Sequence, residues 1–153
     1  MTLSELLKPD LILPKITCSS KDDLILKLVD RVYDTGREFP LPRQDLLNTI
    51  YMREKIGGTM LPSGLSVPHA RLKNYEDFVL AIGLPVEPPA HEGLQIYLSA
   101  LMITNQSGGP YYLLVLAALT KISRDKEYFL RLCGAENPGD FISIIRERDP
   151  ELD

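Results

Sequence analysis

The chain has 153 residues, 44% of them hydrophobic and 25% charged, a composition that suits an ordinary globular domain and excludes the disordered, collagen-like and disulfide-scaffold classes. A chain of this size buries roughly 70% of the surface its unfolded form exposes, so a single domain over residues 1–153 needs neither metal nor disulfide to hold it together. Its 17 basic and 21 acidic residues give a net charge of −4, and without a basic stripe there is no footprint for a nucleic-acid backbone.

The longest wholly apolar run, residues 111–119, is less than half the roughly 20 residues that a membrane-spanning helix requires. Met1-Thr2-Leu3-Ser4-Glu5 lacks the positive and apolar regions of a secretory signal, so the expected location is cytoplasmic. Cys18 and Cys133 are far apart, and neither has a second cysteine nearby to form a metal knuckle or redox pair; both are expected to be reduced.

In chain order, Ser20 caps a first long helix over about residues 21–35, whose Leu24, Ile25, Leu28, Val29 and Val32 fall on one face before Gly36 stops it. A second helix starts after Pro42, buries Leu46, Leu47, Ile50 and Tyr51, and is expected to end near Arg53. A glycine-rich stretch over 57–64 gives way to the alternating Leu65-Ser66-Val67-Pro68-His69, which reads as a short strand closed by His69. Two apolar runs, 78–82 and 96–103, have strand length and are apolar on both faces, as in a sheet covered by helices. The Pro-rich stretch between them, which includes Pro88-Pro89-Ala90-His91-Glu92-Gly93, reads as a loop. Residues 111–122, apolar nearly all round, predict a buried helix with Pro110 in its first turn. Two shorter helices, about 126–133 and 138–148, close the chain behind Gly134 and the Asn137 cap. The expected fold is α/β: a single-domain sandwich of a small mixed sheet flanked by helices.

Only two histidines are present. His91 falls in the Pro-rich loop, reads as a solvated surface imidazole and receives no role. His69 follows a proline, ends the expected buried strand, and has glycines shortly before it that let backbone N–H groups approach an anion. No ligand cluster surrounds it, so metal binding is not expected. Ser66 would point to the opposite face of one short strand, which argues against a serine nucleophile with His69 as its base. A histidine that is itself the nucleophile remains: a neutral imidazole accepts a phosphoryl group directly, provided that a cation and N–H donors hold the added charge.

The segment Arg53-Glu54-Lys55-Ile56-Gly57-Gly58-Thr59-Met60-Leu61-Pro62-Ser63-Gly64-Leu65-Ser66-Val67-Pro68-His69-Ala70-Arg71 resembles the EIIA domain of the fructose/mannitol type in the bacterial sugar phosphotransferase system, including its nitrogen-regulatory relatives. Residues 3–14 look like that family's opening helix and strand, and Tyr112-Leu113-Leu114-Val115-Leu116-Ala117-Ala118-Leu119 looks like its His-Leu-x-x-Leu-Ala-x-Leu helix. The resemblance implies a phosphotransferase/anion-transport-protein-like fold. It makes His69 the phosphorylated residue, taking its phosphoryl group from the histidine phosphocarrier protein and passing it to a cysteine of the EIIB component, through which the domain would associate with a membrane EIIC. It makes Arg53 the partner of the phosphoryl oxygens, a task suited to a planar, permanently charged fork. Thr59 and Gly64 match the phosphoryl-binding loop, Arg71 adds charge beside the histidine, and no cofactor is implied.

Three positions depart from the pattern. Met60 and Pro62 stand where the family usually has glycine, which stiffens the loop and removes one N–H. Tyr112 occupies the place of the family's second active-site histidine, and a phenol with a pKa of about 10 does not exchange a proton near neutrality. An alternative follows from these departures: an EIIA-like regulator that acts by protein contact, with impaired transfer.

Overall fold

The computed structural model describes residues 1–106 and 109–153, with side chains described outside 107–110. Helix α1 (Leu3–Leu6) and a 3-10 turn (Pro9–Leu11) lead into strand β1 (Ile12–Ile16), and helices α2 (Lys21–Asp34) and α3 (Arg43–Gly57) follow. Strands β2 (Leu65–Ser66), β3 (His69–Leu72), β4 (Val79–Pro85), β5 (Ala90–His91), β6 (Leu94–Gln95) and β7 (Leu98–Asn105) precede helices α4 (Gly109–Arg124), α5 (Lys126–Cys133) and α6 (Pro138–Arg146). The caps read from the sequence are in place: Ser20 accepts the Asp23 N–H and Asn137 accepts the Asp140 N–H.

The main sheet runs β1-β4-β7-β2, with β3 also on β7. β4 and β7 are antiparallel and the other pairings are parallel, so the sheet is mixed. Alternation along its central strands divides the core. Leu80, Ile82, Leu84, Leu98, Ala100 and Met102 pack with α4, α5 and α6, while Val79, Ala81, Leu101 and Ile103 pack with α2 and α3. Both faces are covered, which is why these strands are apolar in both registers. Gly83 lets α2 settle close to the sheet: a Cβ there would lie 3.1 Å from Leu24 Cδ1.

The structure corrects the sequence reading at four places. The strand expected to end at His69 is broken: β2 pairs with Leu98 and Ser99, β3 pairs with Met102 to Asn105, and His69 opens β3 instead of closing the segment. The break falls at Val67-Pro68, where proline has no N–H to donate and the Val67 N–H turns to the Thr59 carbonyl at 2.9 Å. α3 runs on to Gly57, so Arg53 lies within the helix, not at its end. The Pro-rich loop contains the hairpin β5–β6, turned by Glu92 and Gly93, both at positive φ (50° and 82°). Finally, α4 is not buried all round. Tyr112, Val115, Leu119 and Ile122 face the core, whereas Leu113 is 67% exposed. An opening helix and strand are present as expected, although β1 runs past residue 14 to Ile16. Among the described residues no helix is long and apolar enough to cross a membrane.

Candidate functional site

The site forms at the open edge of β3, where elements from both faces of the sheet meet. Residues two apart on a strand share a face, so His69 and Arg71 point together toward α4. The ring of Tyr112, the fourth residue of that helix, lies 4.7 Å from the His69 ring between centroids. The Tyr112 hydroxyl is 3.4 Å from His69 Nδ1, and the Arg71 guanidinium sits 5.5 Å above the tyrosine ring, a cation–π arrangement. From the other side α3 supplies Arg53 and, one turn earlier, Thr49. Thr49, Arg53, His69, Ala70 and Arg71 line one pocket of about 270 Å³.

His69 is 3% exposed. Burial pulls its imidazole below the ordinary histidine value, and the Arg53 and Arg71 charges pull the same way; a hydrogen bond with the Val67 backbone and the charge of Glu54 push back. The ring is therefore held neutral, with a lone pair free for bond formation. Burial raises the Tyr112 phenol, and Glu54 adds to this against Arg71 and Arg53. Tyr112 is thus a fixed hydroxyl at neutral pH and also a buried aromatic of the core between the sheet and α4.

The pocket brings together Arg53, His69 and Arg71, with Tyr112 behind the histidine ring, but not Thr59 or Gly64. The Thr59 hydroxyl donates to the Val67 carbonyl, so it fixes the chain just before Pro68-His69. Gly64 donates its N–H to Leu61 and accepts from Tyr97 at 2.8 Å. Its φ is +95°, and a Cβ would overlap Tyr97 Cδ2. The Thr59 hydroxyl and the Gly64 N–H are thus both engaged within the loop that leads to Pro68-His69. Met60, in place of a family glycine, forms a bridge to Ser66. Ser66 lies outside the pocket, paired in register with Ser99. His91 is half-buried in the β5–β6 hairpin, at the rim of a separate pocket with Lys21, Glu54 and Gly58.

Sequence reasoning gave no role to Lys21 and Glu54. They form an ion pair of 2.8 Å between α2 and α3, each side chain 5% exposed. The signal for it was a lysine at the first position of a helix otherwise led by Asp22 and Asp23, where the helix dipole disfavours a cation.

Comparison with known proteins supports the resemblance. The family model of the phosphoenolpyruvate-dependent sugar phosphotransferase system EIIA 2 matches residues 5–148. A nitrogen regulatory protein of Bradyrhizobium diazoefficiens is 22% identical over 95% of both chains. The 2-O-alpha-mannosyl-D-glycerate-specific EIIABC component of Escherichia coli is 26% identical over 97% of this chain, which spans only 23% of that protein. Among solved structures, nitrogen regulatory protein IIA-Ntr of Neisseria meningitidis superposes with a TM-score of 0.80 at 21% identity, covering 94% of this chain and 98% of the other. Enzyme IIA for mannitol from E. coli, in complex with phosphorylated enzyme IIB, gives 0.71 at 16% identity, covering 93% and 98%. With a family match over nearly its whole length and the family's mixed sheet between helices, this chain belongs to the EIIA type 2 family of the sugar phosphotransferase system.

Proposed function

We propose that the chain is a histidine phosphoryl carrier: His69 accepts a phosphoryl group from the histidine phosphocarrier protein and passes it to a cysteine of an EIIB component. The observation that carries this reading is a neutral, buried imidazole opening onto a pocket that it shares with two arginines. With Nδ1 against the Tyr112 hydroxyl, the attacking atom is Nε2. Its lone pair forms the new N–P bond while the donor's N–P bond breaks, and the donor imidazole leaves with the bonding electrons. Arg53 and Arg71 neutralise the phosphoryl oxygens throughout, and the Nδ1 proton stays on the ring. In the second half-reaction the EIIB thiolate displaces His69 from phosphorus. The solved complex of mannitol IIA with phosphorylated IIB, whose IIA partner shares this fold, supports EIIB as the acceptor.

The test is incubation with phosphoenolpyruvate, enzyme I and the phosphocarrier protein, followed by intact mass measurement. One acid-labile phosphoryl group is expected on the wild type and on His91→Ala, and none on His69→Ala. Label persisting on His69→Ala would refute the assignment. Tyr112 favours a second reading, a regulator that acts by protein contact with slow onward transfer. A wild-type chain that takes the label but does not deliver it to EIIB would support that reading.

A further inference from the structure

Resting on the carrier reading above, we infer that Lys21 and Glu54 are a positioning pair for the phosphoryl pocket, locking the start of α2, the end of α3 and the loop above them, and placing a negative charge behind the two arginines. The geometry is specific. Glu54 follows Arg53 on α3, so fixing one side chain fixes the helix rotation that aims the other into the pocket. Lys21 reaches Glu54 at 2.8 Å with both side chains 5% exposed, and neither carboxylate oxygen has an aligned hydrogen-bond donor among the described residues. The chain then closes directly over the pair: a Cβ on Gly58 would lie 2.8 Å from Lys21 Nζ and 3.4 Å from Glu54 Oε1. The next residue, Thr59, grips Val67 through its hydroxyl and its carbonyl, and Val67 leads through Pro68 to His69. One pair thus anchors both routes into the site, α3 to Arg53 and the loop to His69.

Burying two opposite charges is a poor means of stabilisation, since apolar residues of similar volume often do as well or better. A pair kept at such a junction is therefore better explained by orientation and field. The groups facing His69 are Arg53 and Glu54 from α3, Arg71 from β3 and Tyr112 from α4. Of the charged ones among the described residues, Glu54 opposes the arginines. Its charge offsets part of theirs at the His69 ring, while the fixed pair keeps Arg53 aimed into the pocket.

The test uses the full chain with the apolar double replacement Lys21→Met/Glu54→Met, because either single change leaves one charge buried alone and risks unfolding. The double variant should keep a cooperative thermal transition close to wild type. Its His69 titration midpoint, read by NMR of the imidazole, should fall, and phosphoryl uptake from the phosphocarrier protein should drop by about tenfold or more, within what misplacing a reacting group costs. A folded double variant with wild-type midpoint and uptake would overturn the inference. If wild type itself takes no phosphoryl group, the carrier reading fails, while the titration still decides whether the pair acts on His69.

Discussion

His69 shows how one residue is prepared by its neighbours. Its lowered pKa arises first from burial and then from Arg53 and Arg71, so in the folded chain the imidazole protonates only below its ordinary value of about 6.5. The unfolded chain binds the proton more readily, so this group contributes stability that is present above about pH 6.5 and lost as pH falls through the folded midpoint. Phosphoryl uptake should accordingly hold level through about pH 6.5, where an ordinary histidine is half protonated, and decline only as pH falls further through the folded midpoint. Arg53→Gln should raise the NMR midpoint of His69 more than Arg71→Gln, and midpoints unmoved by either change would mean that the guanidiniums do not act on the ring. Tyr112 is the other deciding residue. Its hydroxyl, 3.4 Å from Nδ1, is a long hydrogen bond, so Tyr112→Phe should cost at most about 1 kcal/mol in denaturant unfolding. Tyr112→His, by restoring a group that titrates near neutrality, should speed transfer to EIIB by up to about 10²-fold. Equal transfer rates for all three proteins would reduce Tyr112 to a core aromatic. The roles of Arg53, His69 and Tyr112 were suggested by the resemblance, whereas Lys21 showed only as a cation misplaced at the start of a helix, and nothing in the spacing names Glu54, on another helix, as its buried partner.

Among the elements, the loop from Gly58 to Pro68 carries the tightest constraints. Gly64→Ala adds a Cβ at φ +95° that would overlap Tyr97 and lie 2.8 Å from the Gln95 carbonyl. Backbone strain and overpacking together should destabilise by about 2–4 kcal/mol. A lowered urea midpoint with an unchanged m-value would show it, and a wild-type midpoint would mean that the turn has another conformation open to it. Legibility differed between elements for physical reasons. α2 was readable because a stripe at helical period, a side-chain cap and a stop residue agree locally, and α5 and α6 because Gly134 stops the one and Asn137 caps the other. The interrupted strand at residues 65–72 was not. Its two halves are specified by the neighbour, β7, and a proline between alternating residues looks the same whether a strand ends there or skips a pairing. The β5–β6 hairpin was hidden because each strand has two residues, too few for a period, although Glu92-Gly93 carried its turn chemistry. α4 was read as buried from apolar content alone, and apolar content does not separate a core face from an exposed one.

At the scale of the whole molecule, the chain is acidic at −4, yet its pocket presents Arg53 and Arg71. On the carrier reading proposed above, the two arginines would draw a phosphorylated donor to this pocket on a net acidic chain, and uptake should slow as salt rises. His69 is almost wholly covered, so on the carrier reading a donor would have to close over the pocket and exclude water for the phosphoryl group to move. The helices that bear Arg53 and Tyr112 also carry the apolar side chains suited to that closure. Met52 and Ile56 on α3 are 65% and 80% exposed, and Leu113 on α4 is 67% exposed. Exposed, these side chains add almost nothing to folding, so Leu113→Ala should leave the unfolding free energy within about 0.5 kcal/mol of wild type. If Leu113 anchors the phosphocarrier protein, the same change should cost more than about 1 kcal/mol of binding, roughly a fivefold rise in Kd. Calorimetric titration measures it. The control is Val86→Ala, because Val86 is similarly exposed at 58% but borders a cavity with Lys15 and Cys133, outside the phosphoryl pocket. Weaker binding by Leu113→Ala alone places the donor over the pocket's apolar rim; equal binding by both variants would mean that the donor approaches from another side and that Leu113 is exposed for a reason unrelated to transfer.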